Sequence, residues 1–298
     1  MSAPVDGTER PAVILTIDFE DWEQIVGRAL GTADWDAPHD GFHRQAEATL
    51  ALLRAAGVRA TFFVLGMTAR NYPDIVEQLA AEGHEIACHG YTHTRVWEQG
   101  RSEFRRDVER CLSLLDEVGV PPPRGYRAPA FSLTSRTLWA FDVLADLEFR
   151  YDSSHYASPK ISDRLPPANT PYRIAREPER ELWELPVAVT AVAGRRVPVG
   201  GGSYWRVLPR RVIFGGLDRL AAAHSFPVLY FHPYELGALS LRVKLPPRAP
   251  VRQRAAAAWY AVRYNPRRAR IVPLVAAAAE RFRLVTCAEA LPDVERAF

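Results

Sequence analysis

Short apolar runs alternating with segments of helical period constrain this 298-residue chain more than any other feature of its sequence. Ala12 to Phe19 (AVILTIDF) is apolar and β-branched, with Pro11 before it and charges after it, which predicts a buried, central, parallel strand. Ala60–Leu65, the HEIACH run ending at His89, Gly125–Pro129, Tyr151–Ser154, Leu182–Val189, Pro227–His232 and Arg283–Thr286 supply further extended segments. Between them the spacing predicts helices over Phe42–Ala56 (stopped by Gly57), Pro73–Glu82 (stopped by Gly83), Ser102–Val118 with Ser102 as N-cap, Ser135–Ala145, and Pro209–His224. Glu23 to Pro38, flanked by Trp22 and containing Trp35 and two glycines, reads as a long loop at the mouth of a site. This alternation implies parallel β/α units. The expected architecture is one α/β barrel-like domain over 12–298, with 1–11 a disordered tail and 236–298 a basic extension packed on it.

The formal net charge of +3 is too small to argue for nucleic acid. Its distribution is uneven, however. From Leu236 to Ala279 there is no acidic residue, while Arg242, Lys244, Arg248, Arg252, Arg254, Arg263, Arg267, Arg268 and Arg270 all fall there. Such a stretch is either a solvated face or a contact for an anionic substrate or a membrane surface. Three cysteines without C-x-x-C spacing suggest neither a disulfide framework nor a cysteine metal site. The polar N-terminus lacks a signal pattern, and no apolar run approaches the ~18–20 residues of a membrane span, so a cytoplasmic location is expected.

The polar residues cluster just after the strands. In GHEIACHGYTH, His89 and His93 lie four apart, a spacing that puts two imidazoles on one side of a helical turn and within reach of one ion. Asp18, Glu20 and Asp21 end the first strand, and a lone His232 ends a late one. The C-terminal strand ends are the face on which β/α barrels place their chemistry.

LTIDFED, HGYTH, YRAP and LYFH, in that order, resemble the motif series of the polysaccharide deacetylase (NodB-like carbohydrate esterase) family. D-x-E-D-W, GGGSYWR (200–206) and FHPYE resemble a subgroup associated with bacterial exopolysaccharide loci. The resemblance runs from Ala12 to Glu235. It implies a distorted, incomplete (β/α) barrel, one divalent metal ion (usually zinc) and hydrolysis of an acetyl group from an N-acetylated sugar. The chemistry is compatible: two imidazoles and a carboxylate leave coordination positions open for a water and the acetyl carbonyl. A second carboxylate would take the water proton, and an acid on the opposite side would protonate the leaving amine.

By that resemblance His89 and His93 are the histidine ligands and Asp18 the base. The family's second aspartate should follow directly, but Phe19 stands there. Glu20, on the same side of the strand by alternation, and Asp21 are the alternative carboxylate ligands. Arg127 matches the arginine that orients the base, and His232 matches the general acid, with Asp152 as a candidate partner for its ring. Tyr126, Pro129 and Ala130 of the arginine motif are expected at the substrate; Ala130 replaces a tyrosine, and its backbone N–H would serve the oxyanion. Gly202, Tyr204 and Trp205, together with Trp22 and Trp97, are candidates to line a sugar cleft. The alternatives are a related hydrolase of a small amide or cyclic ureide, and a silent carbohydrate-binding protein of the same fold. The absent signal pattern is consistent with a lipid- or nucleotide-linked precursor as substrate, met through the basic stretch.

Overall fold

A computed structural model describes residues 10–32, 40–157, 169–175, 181–237, 240–243 and 245–298. The strands are β1 (Ala12–Phe19), β2 (Thr61–Val64), β3 (Glu85–Cys88), β4 (Gly125–Tyr126), β5 (Tyr151–Asp152), β6 (Tyr172–Ala175), β7 (Leu182–Glu184), β8 (Val189–Val192), β9 (Arg195–Pro198), β10 (Val228–Phe231) and β11 (Arg283–Val285). One curled sheet runs β10-β1-β2-β3-β4-β5-β7-β6, with β11 also paired to β1. Every pairing in it is parallel except β6 with β7. The apolar run of β1, next to the β10 edge and paired with three strands, is buried on both faces, as a doubly covered parallel strand requires. This is the distorted (β/α) barrel that the alternation of elements implies.

Between β7 and β10 the wall closes without a full strand. Ala188 N donates to Val228 O (3.0 Å), and Tyr230 N donates to Gly200 O (2.7 Å). Val187 and Gly201 form single bridges to Val228 and Tyr230. A Cβ on Gly201 would lie 2.4 Å from Tyr230 O, and its φ is +114°, so only glycine lets the chain pass this close to β10. The glycine run is therefore a closure of the barrel.

Three expectations are corrected. Trp22–Leu30 is a helix and not part of a loop: Asp21 caps it, Glu23 stands in its first turn, and Gly31 ends it in the left-handed conformation. The Trp35 part of that expectation lies outside the described residues, as do residues 1–9 of the tail and Lys244. Leu182–Val189 is broken after Glu184, and β8 with β9 forms a separate antiparallel hairpin turning at Ala193–Gly194, both at positive φ. The Ser102 cap is displaced to Gly100, ahead of the Arg101–Glu117 helix.

Candidate metal centre and active site

The parallel strands deliver their polar residues to one end of the barrel. Asp18 closes β1 and Glu20 follows it; His89 follows β3, Arg127 follows β4 and His232 follows β10. Glu20, His89 and His93 bring one ligand atom each to within 4.8 Å of one another. Glu20 Oε2 lies 3.0 Å from His93 Nε2 and 3.7 Å from His89 Nε2. The two imidazoles do not share a helical turn, contrary to the expectation from their spacing. Gly90 (φ +79°) and His93 (φ +58°) bend the chain, and the rings meet edge to face with centroids 5.6 Å apart. A histidine held in the left-handed region is a strained conformation of the kind found at functional sites. The Asp107 carboxylate holds this bend by accepting from Tyr91 N (2.9 Å). Nothing in its polar surroundings in the sequence marks that role.

The donor set fits a cation. His89 Nδ1 lies 2.8 Å from the Arg127 carbonyl. A carbonyl only accepts, so Nδ1 carries the proton, and in the neutral ring the Nε2 lone pair is turned toward Glu20. Glu20 Oε2 is buried and makes no hydrogen bond among the described residues, although His93 Nε2 is close by. A buried carboxylate oxygen facing two ring nitrogens without hydrogen-bond geometry is stabilised by a shared positive charge. Burial alone raises the Glu20 carboxyl, but His93, His89 and His232 together hold it well below the usual carboxylate range.

Asp21 faces elsewhere. Its Oδ1 accepts from Glu23 N (2.9 Å) as a helix cap, and its Oδ2 accepts from the buried Tyr72 hydroxyl (2.8 Å). Of the two alternative carboxylates, Glu20 is the one the structure brings to the imidazoles.

Arg127 is wholly buried. Its Nη1 donates to Asp18 Oδ1 (2.6 Å) and Thr16 Oγ1 (2.8 Å), its Nε to Ser153 O and its Nη2 to Ser153 Oγ. The guanidinium lies 4.1 Å from the Phe63 ring centroid, which completes its cage. Asp18 Oδ2 is left facing His232 Nε2 at 3.9 Å.

His232 is oriented by Glu235, not by Asp152. Glu235 Oε2 lies 2.9 Å from His232 Nδ1 and also accepts His232 N (3.2 Å), while Tyr234 stacks on the ring. Burial lowers the His232 imidazole, but the hydrogen bond and charge of Glu235, with the charges of Glu20 and Asp18, push it up to about 9. The signal was present in His232-Pro-Tyr-Glu235: a three-residue spacing is that of a capping box, which returns the carboxylate to the residue before the helix. Asp152 instead accepts from Ser154 N (2.9 Å) and Ser154 Oγ (2.7 Å), and it faces Glu184 across the parallel β5–β7 register. Burial raises both carboxyls. The Asp152 charge raises Glu184 further, well above the ordinary carboxylate range.

Two cavities open beside this centre. One of about 340 Å³ includes Glu20, His93, Trp22, Tyr234, Tyr260 and Tyr264 in its lining. Another of about 700 Å³ is lined in part by Phe131, Tyr156, Tyr204 and Tyr230. Trp22 and Tyr204 therefore face cavities. Trp205 does not: it is fully buried, donates Nε1–H to Val199 O (2.8 Å) and packs on Phe231. Tyr126 is buried against Phe104 and Phe149. Gly202 and Pro129 are buried as well, with Gly202 packed under the Tyr230 ring, where a Cβ would lie 2.6 Å from its hydroxyl oxygen. Ala130 is exposed at the strand ends with φ +53°. Trp97 is exposed beneath Arg95.

The curled, largely parallel sheet with its helices is the distorted (β/α) barrel of the NodB-like type. A crystal structure from Mycobacterium smegmatis, provisionally titled a polysaccharide deacetylase, superposes with a TM-score of 0.62 at 22% identity over 99% of this chain and 94% of its own. PuuE allantoinase superposes at 0.60 with 14% identity over 96% and 91%; both likenesses concern the fold. The polysaccharide deacetylase family model matches residues 35–151, and a model for a domain of unknown function matches 151–282. Strands from both stretches share the one sheet. A chitooligosaccharide deacetylase of Sinorhizobium fredii is 35% identical over 147 residues, 48% of this chain and 55% of its own. A peptidoglycan-N-acetylglucosamine deacetylase of Bacillus cereus is 33% identical over 89 residues, 30% and 32% respectively. The chain thus spans about a third to about half of these curated relatives. Over residues 35–151 the chain is similar to the polysaccharide deacetylase family, and its fold is that of the NodB-like type.

Proposed function

We propose that the chain is a divalent-metal-dependent hydrolase that removes the N-acetyl group from an acetylated saccharide, with Glu20, His89 and His93 as ligands and zinc as the ion. One observation carries this reading: the three ligand atoms converge between two differently supported groups, Asp18 held by Arg127 and His232 held by Glu235. A bound divalent cation supplies Lewis acidity at the acetyl carbonyl and to the attacking water. Asp18 is the base. With one oxygen fixed by Arg127, its Oδ2 is available to take the proton of that water. His232 is the acid: its Nδ1 is engaged by Glu235, leaving Nε2 to protonate the departing amine. Tyr204, which lines the larger flanking cavity, offers an apolar face to a sugar ring, while Trp22, buried against Tyr234 and Tyr264, backs the wall of the smaller one. The substrates in the relatives' names, chitooligosaccharide and peptidoglycan N-acetylglucosamine, support an N-acetylglucosamine unit as the group on which this chemistry acts.

The test measures bound zinc and acetate release from N-acetylglucosamine oligomers for the wild type, His89→Ala and His93→Ala. One ion in the wild type, lost with the acetate signal in both variants, supports the reading. A zinc-supplied wild type that binds no ion would sink it. An ion without acetate release from any saccharide would redirect the site to other amides.

A further inference from the structure

The helix Val251–Tyr264 has two faces in different surroundings. Tyr260 and Tyr264 line the cavity beside Glu20 and His93, and Ala257 is buried. On the other side Val251, Ala255, Ala258, Trp259 and Val262 are all exposed. They recur at i, i+4, i+7, i+8 and i+11, which is one stripe along a helix. Val251 is 83% exposed, Val262 73% and Trp259 53%, so three of the seven exposed large hydrophobics among the described residues fall on this single stripe. Isolated exposed apolar side chains are ordinary, whereas a contiguous stripe marks a surface that is covered in use.

Charge decides what covers it. Arg252 and Arg263 lie along one margin of the stripe and Arg254 along the other, with Arg248 before the helix and Arg267 after it. The structure sorts the basic stretch into two sets. Arg254, Arg268 and Arg270 donate to backbone carbonyls and hold the segment together. Arg248, Arg252, Arg263 and Arg267 pair with no carboxylate among the described residues; Arg263 lies over the Trp259 and Tyr264 rings and, with Arg267, reaches the rim of the cavity of about 700 Å³, and no acidic residue occurs from 236 to 279. A second copy of the chain across a two-fold axis would set these arginines against one another. Anionic phosphates beside an apolar boundary match both features, since Arg and Trp flanking an apolar stripe is the composition of an interfacial helix.

We propose that this face docks on a bilayer surface bearing anionic lipid headgroups, with the apolar stripe entering the headgroup boundary and the arginines meeting the phosphates. The contact is peripheral, because no helix among the described residues is long and apolar enough to cross a membrane. The same helix walls the candidate active site, so docking holds the cleft roughly one helix diameter, about 10–12 Å, from the bilayer. Taken with the deacetylase reading, on which this last step rests, the substrate is a saccharide anchored in that membrane.

The experiment uses the full chain and sedimented vesicles of phosphatidylcholine with and without an equal part of phosphatidylglycerol. Binding to the anionic vesicles is expected, weakening as salt rises. Arg252→Gln with Arg263→Gln should weaken it about 25-fold, at about fivefold per arginine, and Trp259→Ala with Val262→Ser by about tenfold or more. Failure to bind the anionic vesicles, binding indifferent to both double variants, or Trp259-dependent self-association in place of lipid binding would each overturn the docking. Acetate release from soluble oligomers is read in parallel, and Trp259→Ala/Val262→Ser should retain it. Vesicle binding without acetate release sinks the deacetylase reading alone; acetate release without vesicle binding sinks the docking alone.

Discussion

Glu20 and Asp21 are adjacent carboxylates with opposite tasks, and exchanging each for alanine should separate metal binding from stability. Asp21→Ala removes a helix cap, costing about 1 kcal/mol. It also removes the carboxylate that accepts from the buried Tyr72 hydroxyl, costing a further ~1–3 kcal/mol. With an unfolding entropy of roughly 2 cal/mol/K per residue, a loss of about 2–4 kcal/mol lowers the melting temperature of a chain this long by roughly 3–6 °C. Zinc stoichiometry should stay at the wild-type value. Glu20→Ala removes a buried carboxylate whose Oε2 has no hydrogen-bond donor among the described residues, so the metal-free protein should melt within about a degree or two of wild type. Its zinc affinity should fall by more than the ~10–100-fold typical of losing an outer-shell partner. Calorimetric titration with zinc and thermal melts of chelated protein, on the same preparations, measure both quantities. If Asp21→Ala lost the ion while remaining folded, or Glu20→Ala kept wild-type affinity, the assignment of ligand and cap would be refuted.

Glu235→Gln preserves the shape around His232 but removes the charge facing Nδ1; kcat/KM for acetate release should drop about 10–100-fold with zinc content unchanged. Unaltered kinetics would remove Glu235 from the machinery. Glu184 is raised well above its ordinary value by burial and by Asp152, so the folded chain holds a proton there that the unfolded chain releases above about pH 4.5. The stabilisation is complete below the unfolded value and is lost as pH rises through the raised one. Glu184→Gln cannot ionise, so its melting temperature should fall less than the wild type's between mildly acidic and mildly alkaline pH; parallel curves would contradict a raised Glu184. Gly201→Ala forces a Cβ to within 2.4 Å of a carbonyl at positive φ and should cost about 2–5 kcal/mol in urea unfolding. A neutral substitution there would mean that the barrel does not close through this contact.

What could be read from the sequence followed burial and local pattern. β1 emerged because an apolar β-branched run between proline and charges has few other uses, and the strand-end histidines and carboxylates followed from its direction. The Trp22–Leu30 helix is obscured by the two tryptophans and two glycines of its stretch, which suggest a loop, although the acid at position 21 also caps a helix. The β8–β9 hairpin escaped because its second strand, Arg195–Pro198, is exposed and carries little apolar signal. The spacing of His89 and His93 suggested a helical turn, but the backbone reaches the same juxtaposition through two residues at positive φ. That depends on Asp107, far away in sequence. Trp205 and Tyr126 looked like ligand-facing aromatics because sequence does not distinguish a ring beside a sugar from one in the core. Glu235 was recoverable from its spacing to His232, whereas the Asp152–Glu184 pair needed the β5–β7 register.

Arg127 contributes twice from one position. Its side chain fixes the Asp18 carboxylate, and its backbone carbonyl sets the orientation of the His89 ring. The proposed base and one proposed ligand are therefore referenced to a single residue just after β4 and not to each other. Breathing of the barrel that shifts this strand carries both groups along, so their separation is buffered where an error near 1 Å can cost about 100-fold in rate. Side-chain replacement at 127 cuts only one of the two links: the carbonyl remains, and ring alignment should outlast the loss of the base.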